Sequence, residues 1–130
     1  MNSTDMGKLI LRLTLGVLLL LHGISKLKHG VGFIGPSLTA HGLPAEISYL
    51  AYVGEVLAPI MLIVGFWTRP AALIVVVNMI FAIFLMHMSQ LGELSKSGGW
   101  ALELQAFYLF SALSVALLGA GRFSVGSRFN

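Results

Sequence analysis

Residues 7–27 read GKLILRLTLGVLLLLHGISKL, an apolar run whose only ionisable residues after its opening lysine are Arg12, His22 and Lys26. A helix that crosses a bilayer needs about 20 mostly apolar residues, and this run supplies them. Its flanks imitate a secretory signal, with Lys8 and Arg12 set about the start of the apolar stretch. No small-x-small cleavage site follows His22-Gly23-Ile24-Ser25-Lys26, so the segment reads as a retained first helix.

Working outward, three further runs have the same character, at about 47–67, 71–88 and 100–118. Gly30, Gly32, Gly35 and Pro36 break the pattern after the first run. The connection 28–46 is the longest in the chain, and a loop of that length is expected to have a packing or functional role as a partly buried cap. Leu43-Pro44-Ala45-Glu46 reads as a helix start, with proline near the first turn and an acid after it. Pro59 predicts a kink in the second span. Thr68-Arg69-Pro70 reads as a tight turn, which makes the second and third spans antiparallel neighbours. Gly16 and Gly23, two turns apart, offer a close helix approach.

Composition supports this reading. The chain has 130 residues, 57% hydrophobic and only 10% charged, with mean hydropathy +0.91. Soluble domains carry roughly 25% charged residues. One domain over 1–130 is expected, an all-α integral membrane four-helix bundle, and a soluble enzyme domain with its own core is excluded. There is no cysteine, which removes disulfide, thiolate and Cys-ligated cluster chemistry. Net charge is +3 and the pI about 9.6, but the lysines and arginines sit singly at the ends of apolar runs. That distribution speaks for membrane orientation and not for nucleic-acid binding.

Four spans place both ends of the chain on one side. Lys8, Arg12, Arg69, Arg122 and Arg128 then face Lys26, Lys28 and Lys96 across the membrane. The excess predicts N-in and C-in orientation, in a bacterial plasma membrane. Trp67 on one side, and Trp100 with Tyr49 on the other, suit the interfacial belts.

Ionisable groups within spans are costly and are candidates for function. His22 and Lys26 in the first span, Glu55 in the second, His87 in the third and Glu103 in the fourth all fall in the outer half. His22 and Lys26 form an i, i+4 pair. Glu55 sits roughly 12 Å from the start of its helix, and Lys26 is its natural counter-charge. Glu103 shares a face with Phe107, Phe110, Ser111 and Ser114. His29 and His41 read as solvated loop residues, and Asn78 as bonded across a different interface.

These residues admit three readings. One is a structural polar network that fixes helix order, with Lys26 paired to Glu55 or Glu103. Another is a ligand pocket for a polar-headed apolar molecule such as a quinone, with Phe107, Trp100 or Tyr52 holding its ring. A third is a metal site built from His22, Glu55, His87 and Glu103. Against the metal stand Lys26, which repels a cation, and the missing Glu-x-x-His spacing.

The chain resembles the DoxX family of small four-span bacterial membrane proteins over nearly its whole length. The resemblance rests on Arg12-x-x-x-Gly16, His22-Gly23-Ile24-Ser25-Lys26-Leu27, Gly54-Glu55, Gly65-Phe66-Trp67-Thr68-Arg69, His87, Glu103 and Gly119-Ala120-Gly121-Arg122-Phe123-Ser124. It implies a plasma-membrane four-helix bundle. Relatives include a subunit of a thiosulfate:quinone oxidoreductase, which draws attention to a quinone or a redox partner. The acid that usually follows the closing motif is replaced, since Ser124-Val125 leads into Gly126.

No nucleophile–base pair or cofactor fingerprint is recognisable. The expectation is a small membrane subunit or accessory protein of a redox system, with a quinone-like ligand at His22, Lys26, Glu55, His87 and Glu103. Its partners would be the lipid bilayer and a larger redox protein or a second copy. The alternatives are an assembly protein held together by the same cluster, and the metal site.

Overall fold

The computed structural model describes residues 2–86, 88–126 and 130, with the side chain of Met86 left aside. His87 and Arg128, named above for the site and for orientation, lie outside the described residues. Helix α1 spans Ser3–His29. It starts where the Asn2 side chain accepts a hydrogen bond of 2.7 Å from the Asp5 N–H, a side-chain N-cap. It stops at Gly30, whose φ of 80° ends the helical path.

The long connection folds as expected of a cap. A 3-10 turn at Gly32–Ile34 leads into α2, Gly35–Ala40, with Pro36 in its first turn. Val31 and Leu38 are buried, so this segment is packed onto the bundle.

The second span, Ala45–Val64, is composite. A 3-10 segment Ala45–Tyr49 passes into one turn of α-helix, α3, at Leu50–Tyr52. A π turn follows at Val53–Leu57, and α4 completes the span at Ala58–Val64. The kink expected at Pro59 is therefore a widened turn just ahead of it. Proline has no N–H, and its ring collides with the carbonyl of the residue four earlier, here Glu55. A wider turn moves that carbonyl out of the way.

The reversal between spans differs from the sequence reading. Thr68-Arg69-Pro70 is not the turn; it opens α5, Thr68–Met86, because proline suits a first helical turn. The chain reverses one step earlier, at Gly65 (φ 75°) and Trp67 (φ 48°). A 3-10 turn at Met88–Gln90 and a loop follow, in which the Trp100 indole donates to the Leu91 carbonyl at 2.8 Å. Trp100 thus belongs to the connection, and the last helix, α6, is Glu103–Leu118.

Helix α1 packs on α4 and α6, and α5 packs on α4 and α6, closing an all-α bundle. Its core holds Leu15, Leu19, Leu62, Val75, Tyr108 and Val115. Ala58, Ala71, Ala72 and Ala112 are fully buried between helices, where small side chains permit close packing. Outward lie Ile10, Leu21, Val77, Ile80 and Leu117, a surface suited to lipid. Three helices among the described residues are long and apolar enough to cross a membrane, and α6 is an apolar helix of 16 residues.

Arginines fasten one end of this bundle. Arg12 is almost wholly buried. Its guanidinium donates to the Leu62 carbonyl at 3.0 Å and to the Phe123 carbonyl. Arg69 donates to the carbonyls of Ala116 and Leu117, each at 3.3 Å. Both cations meet the C-terminal ends of helices, α4 and α6, where unpaired carbonyls and the helix dipole favour positive charge.

Candidate functional site

Gly23 brings α1 against the π turn so closely that a Cβ there would overlap the Glu55 carbonyl. One turn on, the Lys26 Nζ lies 2.6 Å from Glu55 Oε1. Glu55 is buried and Lys26 half-buried, so the pair is largely shielded from solvent. The Tyr52 hydroxyl donates to the Lys26 carbonyl at 3.3 Å, and the Phe33 ring lies 6.0 Å from the Lys26 Nζ. A charge in such surroundings needs a partner, because the cost of stranding it is several kcal/mol.

This pair forms one wall of a cavity of about 610 Å³, within the size range of small-molecule sites. Phe33, Ile34 and Leu38 of the cap line it. Ser48, Gly54 and Glu55 come from the second span, and Ile74, Asn78 and Phe81 from α5. The walls are mainly apolar, with polar groups gathered at Lys26, Ser48, Glu55 and Asn78. Leu50 and Val53 on one side, and Leu73 and Val77 on the other, are exposed apolar residues at the gap between the second span and α5.

Asn78 is the residue that the sequence reading misplaced. Its amide packs on Gly54, where a Cβ would come within 2.5 Å of the Asn78 Cγ. Its Nδ2 is buried and has no acceptor, a state that costs about 1–3 kcal/mol. A lone polar residue in an apolar run was the available signal. Reading it as bonded across a different interface concealed its neighbour across the gap.

Of the other candidates, His22 and Glu103 do not join the cavity. His22 is exposed, and its ring meets Tyr108 of α6 edge-on at 5.7 Å between centroids. Glu103 is exposed in the first turn of α6, where a carboxylate suits the positive end of the helix. It lines a separate groove of about 370 Å³ with Trp100, Phe107, Phe110, Ser111 and Ser114. Phe107 and Trp100 are thus apart from Lys26 and Glu55, and Phe33 and Phe81 supply the aromatic surface there. Among the described residues, no three His, Asp or Glu side chains gather as a metal ion would require.

Comparison with known proteins identifies the family. A family model described as DoxX matches residues 7–88. The chain is also similar to a protein of Haemophilus influenzae described as an uncharacterized protein. The two are 32% identical over 123 residues, covering 92% of this chain and 87% of the relative. No solved structure matches.

Proposed function

The chain belongs to the DoxX family, and we propose that it is a small membrane protein of a redox system that binds a quinone-like molecule beside Lys26 and Glu55. The observation that carries this reading is the cavity of about 610 Å³ with one ion pair and one unpaired amide donor in an apolar lining. Such a lining suits an apolar ligand with a few polar atoms fixed by few polar groups. A purely structural ion pair needs no such space beside it. His22 and Glu103 are then outside the binding shell.

In this reading the protein crosses the bacterial plasma membrane four times. Asp5 accepts from the Arg122 N–H at 3.3 Å, a contact that supports both ends lying on one side. Lys8, Arg12, Arg69 and Arg122 gather there, so that side is cytoplasmic. Helix α6 spans roughly 24 Å at 1.5 Å per residue, a modest mismatch that a bilayer accommodates by local thinning. In this reading the protein acts as a subunit or accessory of a larger redox protein.

Equilibrium binding of decylubiquinone to the detergent-purified protein tests the proposal. Wild type binds saturably, and Glu55→Gln weakens binding at least tenfold while the far-UV spectrum is unchanged. Equal affinity in the two proteins, or no saturable binding by wild type, contradicts it.

A further inference from the structure

Within that reading, on which this step rests, we infer that Asn78 hydrogen-bonds the head group of a neutral, carbonyl-bearing amphiphile that enters from the bilayer between the second span and α5. Two separate observations meet at this residue.

The first is the uncommitted donor. Lys26 is engaged by Glu55, and the Tyr52 hydroxyl by the Lys26 carbonyl. Asn78 Nδ2 is buried without an acceptor beside the same cavity. A donor in a low-dielectric setting calls for an acceptor, and a ligand carbonyl supplies one. The charges of Lys26 and Glu55 cancel, so the site gives no net preference for an ionic head. A neutral acceptor fits better than an ammonium or a carboxylate.

The second is the route. At one end the cap segment lines the cavity, with Leu38 fully buried. Sideways it opens between exposed apolar residues, Leu50 and Val53 facing Leu73 and Val77. In a bilayer this mouth faces acyl chains. A ligand with an apolar tail keeps that tail in the mouth while its head reaches Asn78.

The test compares decylubiquinone with decylbenzene, which has the same tail and no carbonyl, on the full chain in nanodiscs. Wild type binds the quinone at least tenfold tighter. Asn78→Ala removes the donor without adding bulk, and Asn78→Asp keeps the shape while replacing the donor with an acceptor. Both lose the preference and leave decylbenzene affinity unchanged. Quinone affinity equal to wild type in a folded Asn78→Ala and Asn78→Asp overturns the assignment. If Glu55→Gln still abolishes binding in that case, the cavity reading survives and only Asn78 falls. If wild type binds neither probe, both fall together. Val77→Trp narrows the mouth and slows quinone association several-fold with the same melting temperature. An unchanged association rate contradicts lateral entry.

Discussion

Gly23 of α1 sits on the backbone of Glu55, with no room between them for a methyl group. Pro59 lies four residues beyond Glu55 and cannot donate to its carbonyl, and the π turn at Val53–Leu57 presents that stretch to α1. Wide turns of this kind recur at functional positions in helices. Here the turn, the glycine and the proline together deliver Glu55 to Lys26.

Gly23→Ala should therefore separate α1 from the second span. The obstacle is backbone, which cannot rotate away as a side chain does. Overpacking of this sort costs about 1–3 kcal/mol. The expected result is a lower melting temperature in detergent together with weaker decylubiquinone binding. A variant as stable as wild type would mean that α1 is not held at this distance.

Lys26 and Glu55 should behave as one unit. Removing one member of a shielded pair leaves the other uncompensated, at about 3–5 kcal/mol, whereas replacing both is far less costly. Lys26→Met is expected to destabilise strongly, and Lys26→Met with Glu55→Gln to recover most of the loss. Thermal melts of the single and double variants measure the coupling. Additive losses would show that the two side chains do not interact in the folded protein.

Much of this arrangement was legible in the sequence, and the limits follow from what helices hide. Apolar length marked the spans, and Pro36 with its glycines marked the cap. Gly16 and Gly23 were read as a close approach, and the structure puts both against the second span, Gly16 beside Ile63 and Gly23 beside Glu55. Shared depth in the membrane paired Lys26 with Glu55. Depth did not reveal azimuth. Apolar residues lie all round helix α6, so no apolar stripe told which face meets the core. Glu103, Phe107, Ser111 and Ser114 do share a face as the spacing predicts, but that face lines the outer groove while Tyr108, Ala112 and Val115 point inward. Asn78 was missed for the same reason: its partner surface, Gly54, belongs to another helix.

Arg12 illustrates a different limit. It stood out as an intramembrane charge, yet its partners are carbonyls of Leu62 and Phe123, which no sequence pattern announces. Arg12→Lys keeps the charge but replaces a planar fork with a single point donor. It should leave one carbonyl unpaired, at about 1–3 kcal/mol, and loosen the segment around Phe123. Limited trypsin digestion reports this as faster cleavage after Arg122. An unchanged rate would show that Arg12 does not hold the segment.

The central claim is that the cavity beside Lys26 and Glu55 holds a quinone-like molecule. Native mass spectrometry of the protein purified from membranes in mild detergent addresses it most directly. The account predicts a bound mass matching a membrane quinone on wild type, absent from the Lys26→Met, Glu55→Gln double variant, which keeps most of the wild-type stability. A wild-type spectrum showing only the bare chain after incubation with excess decylubiquinone would contradict it, and would leave the ion pair as a structural tie between α1 and the second span.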